Sequence, residues 1–259
     1  MKIRLFLLLI APALLCFGAP RTWISASGDD AAACTRTAPC KTFAGALANT
    51  SSGGEIDVLD SGDFGTVTIL QNLTIDGGGN IASGAAITLA AGHVVIRNLT
   101  LAATGVGISM ASGATGRIER VLIRPDTVAG IMNYGVVALG PAGVLSLEDV
   151  RIQDALTSGI SVLGGKVSLT RCSLIHNAVG LAVLNNATVQ VDHSFVQFNS
   201  IAGVSTDENS TASAGGNMRL SDTTITDNAI GLQLGGTGTP SIVTFGNNRI
   251  FGNTVNGNP

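Results

Sequence analysis

The chain has 259 residues, a formal net charge of −3 at pH 7 and only 12% charged residues, about half the share that is typical of globular proteins. Its apolar residues are mostly Val, Ile, Leu and Ala, and 34 glycines accompany them. This composition favours short strands with frequent corners and argues against a helical bundle, whose solvated faces need Glu, Lys and Arg. An acidic chain without a basic run would be repelled by phosphate, so we expect no nucleic-acid partner.

The first 19 residues have the pattern of a secretory signal peptide. Lys2 and Arg4 precede an apolar run that ends at Leu15, and small residues follow. A basic start, a short apolar stretch and a small-residue exit are typical of export signals, whereas a transmembrane helix needs about 20 apolar residues. We therefore predict a cleaved signal at residues 1–19, no membrane span, and a secreted or periplasmic mature protein.

Three cysteines remain after the signal. Cys34 and Cys40 lie six residues apart in a stretch rich in Gly, Ala, Thr and Pro, and in an oxidising compartment we expect them to form a local disulfide. The alternative, a metal site, would need further Cys or His residues nearby, and this stretch has none. Cys172 falls at an inward position of the repeat described next, so we interpret it as a small core residue rather than a reactive thiol.

A repeat begins at about residue 67. Two alternating apolar residues are followed by two polar residues and two more alternating apolar residues, as in Val-Ser-Leu, Thr-Arg, Cys-Ser-Leu at 167–174. The last residue of the first triplet serves as an anchor, and it recurs in steps of 22 to 29 residues, a period that indicates a solenoid. The anchors are Leu70, Ile96, Ile118, Leu147, Leu169, Val191, Leu220 and Phe245.

The spacing inside one period predicts the cross-section of the solenoid. Along a strand, every second side chain points inward, but the inward positions on the two sides of the polar pair are three residues apart. This odd interval breaks the alternation, so the chain must turn a corner at the polar pair. A third segment closes the coil with Gly and alternating apolar residues, as in Gly-Ile-Ser-Val at 159–162. We therefore predict an all-β fold, a right-handed parallel β-helix of about eight coils. Leucine-rich repeats would need a fixed Leu motif, and a β-sandwich would need short hairpins without a regular coil length.

A row of polar residues stands eight positions after the anchors. Its members are Asn177, Asn199, Asn228 and Asn253, with Asp126 earlier in the chain. Asparagine tolerates left-handed backbone conformations and bonds its own turn. Stacked asparagines can also bond from coil to coil, so this row predicts a ladder at the second corner.

The polar pairs that follow the anchors stack charged residues along the first corner. We call this candidate ligand-binding set the corner strip; it comprises Glu119, Arg120, Glu148, Asp149, Arg171, Asp192 and His193. One interpretation is a solvated corner held by ion pairs between coils. The other is a strip that holds a sugar acid, directly or through calcium. Glu119, Glu148 and Asp149 crowd like charges and are the candidate calcium ligands, unless neighbouring arginines neutralise them; no other cofactor is predicted.

The remaining faces offer little chemistry for a sugar-processing cleft. Arg151, Arg249 and Phe195 face outward from the second strand, where the phenylalanine could pack under a loop instead of binding a ligand. Such a cleft needs carboxylates for acid–base work and rings on which sugars stack. The chain has one tryptophan and one tyrosine, Trp23 and Tyr134, so it is poorly supplied with rings.

Residues 22–79 resemble the opening of secreted parallel β-helix proteins of the pectate-lyase-like superfamily. The matching segments are TWISASGDD at 22–30, APCKTFAGAL at 38–47, GGEIDV at 53–58 and LTIDGGG at 73–79. The resemblance implies a short amphipathic helix near residues 42–48 that covers the first coil, because the end of a solenoid exposes apolar core and strand edges. We accordingly divide the mature chain into a cap segment with helix and first coil at 20–66 and a β-helix at 67–259.

The resemblance implies less about activity, because one fold serves many functions. The superfamily includes pectate lyases, polygalacturonases and uronate epimerases, but the Asn-Thr-Asp, Gly-His-Gly, Arg-Ile-Lys and Arg-x-Pro-x-x-Arg motifs of such enzymes are missing. One similarity to a pectate lyase coil remains, VDHSF at 191–195. We expect an exported protein that binds a polysaccharide or surface glycan. The alternatives are a non-catalytic structural or adhesive protein, and a lyase or hydrolase with a degenerate site.

The C-terminal end shows no capping helix. The residues from Asn253 onward are rich in Asn and Gly and lack an amphipathic pattern. The last coil would therefore leave apolar core and strand edges uncovered. We expect it to pack against a partner or another copy of the chain.

Overall fold

The computed structural model describes residues 18–128, 130–207 and 213–258. The predicted signal peptide at 1–19 lies almost entirely outside the described residues. In chain order the elements are β1 (Ala19–Ile24), α1 (Phe43–Asn49), β2 (Thr50–Val58), β3 (Gly62–Asp63), β4 (Val67–Ile69), β5 (Leu73–Asp76), β6 (Ile81–Ser83), β7 (Ile87–Leu89), β8 (His93–Ala103), β9 (Gly105–Met110), β10 (Thr115–Pro125), β11 (Met132–Ala138), β12 (Val144–Glu148), β13 (Arg151–Gln153), β14 (Ser158–Val162), β15 (Lys166–Thr170), β16 (Ser173–Ile175), β17 (Val179–Val183), β18 (Thr188–Asp192), β19 (Phe195–Gln197), β20 (Ala202–Ser205), β21 (Asn217–Ser221), β22 (Thr224–Thr226), β23 (Ile230–Gln233), β24 (Ser241–Thr244), β25 (Arg249–Phe251) and β26 (Val255–Asn258).

These strands form three rows, and every pairing between one of these strands and another is parallel. The first row runs from β1 through β2, β5, β8, β10, β12, β15, β18 and β21 to β24. The second row runs through β3, β6 and the later halves of β8 and β10, and continues through β13, β16, β19 and β22 to β25. The third row is a 9-stranded sheet from β4 to β26. The chain is therefore a parallel β-helix, as predicted.

The anchors of the central coils stack as predicted. Ile96 pairs with Ile118, and the register continues through Leu147, Leu169 and Val191 to Leu220. These side chains are buried and belong to one continuous hydrophobic core. Burial of aliphatic side chains against the coils above and below stabilises such a rod, since each coil contacts only its neighbours.

The first and last predicted anchors are wrong. Leu70 is 70% exposed, and Ile75 takes its place opposite Ile96. The error arises because Val67–Ile69 also alternates but belongs to the third row, where Val67 pairs with Ile87. Phe245 is 59% exposed, since Thr244 is the partner of Leu220. Two shorter coils at the N-terminal end bring the number of three-stranded coils in the described residues to nine, where the sequence suggested about eight.

The first corner has a recurrent left-handed backbone. The second residue of each polar pair has a positive φ, with values from 45° to 55° at Asn98, Arg120, Asp149, Arg171, His193 and Asp222. Residues other than glycine adopt this conformation uncommonly. The repeated left-handed residue turns the chain from the first strand into the second, and it gives the corner side chains the same backbone geometry in every coil.

The asparagine ladder at the second corner is present. The backbone N–H groups of Asn177, Asn199 and Asn228 each donate to the side-chain oxygen of the next ladder asparagine at 2.9–3.0 Å. The left-handed residues are not the asparagines but their predecessors, among them His176 and Phe198. Asp126 is buried nearby and accepts from the backbone N–H of Gly84 at 2.8 Å. The ladder satisfies backbone groups that the corner would otherwise leave buried and unpaired.

The N-terminal end is covered by α1 and a disulfide. Thr42 caps the helix by accepting from the backbone N–H of Gly45 at 3.0 Å, which satisfies one of the free donors of its first turn. Phe43 is fully buried and makes an edge contact with Phe64 at 5.7 Å between ring centroids. Cys34 and Cys40 form the predicted disulfide. Among the described residues, no helix is both long and apolar enough to cross a membrane.

Cys172 is a core residue, as predicted. Its side chain is fully buried within the main hydrophobic cluster and carries a free thiol. Burial raises the pKa of the Cys172 thiol to about 11. A thiol that stays protonated at neutral pH is a poor nucleophile, which agrees with a packing role for this side chain.

Candidate functional site

The corner strip forms one ladder of charges because corresponding corner residues lie one coil apart. The parallel register places Glu119 beside Glu148, and Thr170 beside Asp192, at the usual spacing of about 4.8 Å between strands. Long side chains at the corner can therefore reach the carboxylates of the neighbouring coil. Like charges in the same row would repel each other unless cations lie between them.

Arg171 joins the central carboxylates of the strip. Its Nε donates to Asp149 Oδ1 at 2.8 Å, and its terminal nitrogen Nη2 lies 2.5 Å from Glu148 Oε1. The hydrogen bond from Arg171 holds the pKa of Asp149 below its usual value, and the same contacts raise the pKa of Arg171. Both groups therefore stay ionised at neutral pH.

Arg117 is a member of this ladder that the sequence interpretation missed. It lies on β10, two residues before Glu119, and its guanidinium contacts both Glu119 and Glu148, the latter at 3.0 Å. The only available signal was its outward position on the same strand face as Glu119. All three candidate calcium ligands, Glu119, Glu148 and Asp149, thus have guanidinium partners, so a calcium ion would have to displace arginines there.

The ladder also continues toward the N-terminal end beyond the predicted strip. Arg97 contacts Asp76 at 2.8 Å and Glu55 at 3.1 Å, and Arg21 contacts Glu55 at 2.8 Å. Burial alone would raise the pKa of Asp76, but hydrogen bonds from Gly78, Asn98 and Arg97 outweigh that effect and lower it. Burial, followed by the neighbouring Asp57, raises the pKa of Glu55.

An open groove of about 790 Å³ runs beside the ladder on the second strand row. The polar side chains that line it are those of Asp76, Asn98, Thr100, Arg120, Asp149 and Arg151, and its apolar lining includes Leu99 and Leu122. Arg120 is fixed by a hydrogen bond of 2.8 Å from its Nε to Asn98 Oδ1. The Nε of Arg151 donates to the Gln153 side chain at 2.9 Å, and within the described residues Arg151 has no carboxylate in ion-pair contact. The groove therefore presents two guanidinium groups to solvent.

The C-terminal end of the strip is built differently. His193 Nδ1 lies 2.9 Å from Asp192 Oδ2, and His193 Nε2 lies 3.5 Å from Asp222 Oδ2. In the part of the chain that the structure describes, neither carboxylate has an arginine or lysine partner. The strip thus changes from carboxylates clamped by arginine to two carboxylates that share one imidazole.

Two phenylalanines, Phe195 and Phe198, are exposed to solvent. Phe195 is 53% exposed on β19, so no loop among the described residues buries it. Phe198 is 49% exposed at the second corner, and its ring lies 5.4 Å from that of His176. Together with Asp227 these two rings line a second, smaller groove of about 510 Å³. The chain therefore has ring surfaces that its single Trp and Tyr do not reveal.

The stacked parallel coils, with an open groove beside a charged corner, define the class of the protein as a parallel β-helix. A family described as right-handed β-helix region matches residues 119–259. The chain belongs to this family, and its coils wind in the right-handed sense. No curated protein matches the chain in sequence.

Three solved structures share the fold. A pectate lyase, Pel9A, is 13% identical, with 92% of this chain and 78% of that chain covered at a TM-score of 0.52. A rhamnogalacturonan lyase is 10% identical, with 89% and 86% covered at 0.50. The periplasmic alginate epimerase AlgG is 13% identical, with 87% and 60% covered at 0.53. Identities this low show a common fold, the parallel β-helix.

Proposed function

We propose that the chain is an exported protein that binds an acidic polysaccharide in the groove beside the corner strip. The observation that carries the proposal is the pair of solvent-facing guanidinium groups, Arg120 and Arg151, on neighbouring coils along one groove. Arginine recognises carboxylates through paired hydrogen bonds. A chain of carboxylate-bearing sugars lying along the rod would meet one guanidinium after another. The named actions of the similar structures on pectate, rhamnogalacturonan and alginate support a polysaccharide as the ligand.

The groups around the groove favour binding over catalysis. Proton transfer in a reaction needs groups whose pKa lies near the working pH. The pKa values of Asp76 and Asp149 are instead lowered, and those of Arg97 and Arg171 are raised. The carboxylates are thus held as anions and the arginines as cations. A lyase or hydrolase with a degenerate site is therefore the less favoured alternative.

Calorimetric titration with an acidic and a neutral polysaccharide tests the proposal. We expect the protein to bind polygalacturonate or alginate and not a neutral glucan, with affinity that falls as salt rises. Arg151→Gln should weaken binding about tenfold, which corresponds to one charge-assisted contact of roughly 1.4 kcal/mol. Arg249→Gln is the matched control, because Arg249 is exposed in the same strand row but does not line the groove. Equal losses in both variants, or equal binding of the neutral glucan, would reject the groove as the site.

Calcium is tested in the same titration. The oxygens of Glu148 and Asp149 already accept from arginines, so we propose that glycan binding does not need the ion. Affinity should be the same with calcium and with EDTA. A requirement for calcium, lost in Glu148→Gln, would restore these carboxylates as metal ligands.

Export is proposed from the signal pattern at residues 1–19 and is supported by the Cys34–Cys40 disulfide, since such bonds persist in oxidising compartments. Fractionation of the native host with sequencing of the mature N-terminus tests it. We expect the protein outside the cytoplasm and a new N-terminus near residue 20. An intact Met1 in the cytoplasmic fraction would contradict export.

A structural or adhesive rod is the second candidate, and the last coil favours it. Phe245 is 59% exposed, Phe251 54%, and Val243 and Val255 44% each. Among the described residues no strand pairs with the outer edges of β24, β25 and β26. Unpaired strand edges with apolar side chains are templates for association, and a second copy would supply an equally unpaired edge. This second candidate requires a dimer in sedimentation that Phe251→Ser disrupts; a monomer at all concentrations would exclude end-to-end association.

A further inference from the structure

The geometry points to a transition-metal site of the zinc class at the C-terminal end of the corner strip, with His193 and Asp222 as ligands and the Asp192 carboxylate beside the imidazole. His193 and Asp222 occupy the same left-handed corner position, with φ values of 47° and 45°. The register pairs Asp192 with Ser221, so the two corners lie one above the other. Two consecutive coils therefore deliver the three side chains to one place on the surface.

Asp192 adds a second carboxylate beside the imidazole. His193 Nδ1 lies 2.9 Å from Asp192 Oδ2, a contact between neighbouring residues of one corner. The other ring nitrogen, Nε2, lies toward Asp222 of the next coil. Imidazole nitrogens and carboxylate oxygens are both ligands of zinc.

The distance from Nε2 to Asp222 fits two ligands of one ion. His193 Nε2 and Asp222 Oδ2 are 3.5 Å apart, beyond the usual 2.7–3.2 Å of an N–H···O hydrogen bond. Ligands at about 2.0–2.1 Å from a tetrahedral zinc ion are separated by roughly 3.4 Å. An ion could therefore enter between these atoms with little movement of either side chain. Ligand atoms of all three residues lie within 4.8 Å of one another.

The charge around this cluster distinguishes it from the rest of the ladder. Asp76, Glu119, Glu148 and Asp149 each contact an arginine. Within the described residues, Asp192 and Asp222 have only His193 as an ion-pair partner. Two carboxylates with one imidazole leave a negative site for a dication. The imidazole selects zinc, copper or nickel over calcium and magnesium, which prefer oxygen ligands alone.

The site is open to solvent. The side chains of His193, Asp192 and Asp222 are 60%, 33% and 43% exposed. Two protein ligands leave the remaining positions of the ion to water or to a ligand from outside, as in zinc sites that keep an exchangeable position. This surface lies on the same corner as the glycan groove but on later coils, so metal binding does not depend on the proposed function.

Titration of the metal-free protein with zinc, followed by calorimetry, tests the site. We expect one zinc ion per chain, and a cobalt-loaded sample should show the visible absorption of a tetrahedral site. His193→Gln and Asp222→Asn should each weaken zinc binding at least tenfold. Because these side chains are exposed, thermal unfolding in the absence of metal should match that of the unmodified protein.

His176→Gln is the matched control. His176 occupies a left-handed position at the other corner and lies 3.9 Å from Asp154, but its ring faces Phe198. Among the described residues it has a single carboxylate within ion-pair reach. Its replacement should leave zinc binding unchanged. Absence of zinc binding in the unmodified protein, equal binding in His193→Gln, or an equal loss in His176→Gln would overturn the assignment.

Discussion

The two ends of the rod solve the same physical problem differently. At the N-terminal end, α1 buries Phe43 against Phe64, and the Cys34–Cys40 disulfide ties down the preceding segment. At the C-terminal end, the side chains of Phe245 and Phe251 are more than half exposed. A stack of coils has apolar core at both ends, and here the chain covers only one of them within the described residues.

This difference indicates which end of the rod is more stable and which end unfolds first. In a solenoid, stability is approximately a sum of the contacts between neighbouring coils. A coil with a neighbour on each side gains contacts from two coils, whereas within the described residues β24–β26 contact a neighbouring coil on one side. Local opening should therefore begin at β24–β26 and proceed toward the capped end. Paired substitutions at equivalent places near the two ends separate these regions.

The largest effect is expected from the cap. Phe43→Ala leaves a cavity in a fully buried ring contact, and such truncations cost about 3–5 kcal/mol. Phe251→Ala at the open end should change the free energy of unfolding by less than about 1 kcal/mol, as exposed sites do. Urea unfolding of both variants measures the comparison. Similar losses would show that the C-terminal coil is covered in solution.

The asparagine ladder should give the next largest difference. Asn199→Ala leaves the Asn177 backbone N–H without its acceptor, and a buried unsatisfied group costs roughly 1–3 kcal/mol. Asn253 is the last ladder member and is partly exposed, so Asn253→Ala should cost less. Thermal unfolding of the two variants compares them. A larger loss in Asn253→Ala would contradict an open end.

Reduction of the disulfide should have an intermediate effect. Closing a loop of this length restricts the unfolded chain by about 2 kcal/mol. The Cys34→Ala/Cys40→Ala double variant should lose that amount. Hydrogen exchange should rise in β1 and α1 while β24–β26 remain as they were. An unchanged free energy of unfolding would mean that α1 holds this end without the bond.

The smallest expected effect is on the stability of the fold at acid pH. Asp76 has a pKa lowered below its ordinary 3.8 in the folded state. The contribution of Asp76 to the free energy of unfolding is therefore complete above about pH 4. It is lost as the pH falls through the pKa that Asp76 has in the folded protein. We expect Asp76→Asn to remove about 1 kcal/mol at neutral pH and to flatten the decline below pH 4. Arg97→Gln should flatten it too, because Arg97 is one of its partners; an unaltered acid curve in both variants would contradict the shift.

The fold was predictable from the sequence in those coils that contain the complete repeat pattern. From Ile96 to Leu220 every period has two apolar triplets around a polar pair, and the register follows from these alone. The first coils are shorter, and the strand Val67–Ile69 of the third row alternates like a strand of the first row. Phe245 was misplaced because an apolar residue just past a strand end fits the pattern as well as the strand residue does.

The site was only partly predictable for a different reason. Corner residues such as Glu148 and Asp149 follow directly from the repeat. The partners that decide their charge state depend on how far long side chains reach between coils. Arg117 lies on a strand rather than at a corner, and Arg21 and Glu55 precede the repeat, yet all three extend the ladder. Periodicity gives the position of a side chain and not the direction in which it bends.

A crystal structure of the protein with an acidic oligosaccharide, such as trigalacturonate, tests the central claim most directly. We expect ordered sugar along the groove, with carboxylate oxygens within hydrogen-bond distance of Arg120 and Arg151. Sugar bound at another face of the rod, or a groove that stays free of sugar at saturating concentration, would contradict it.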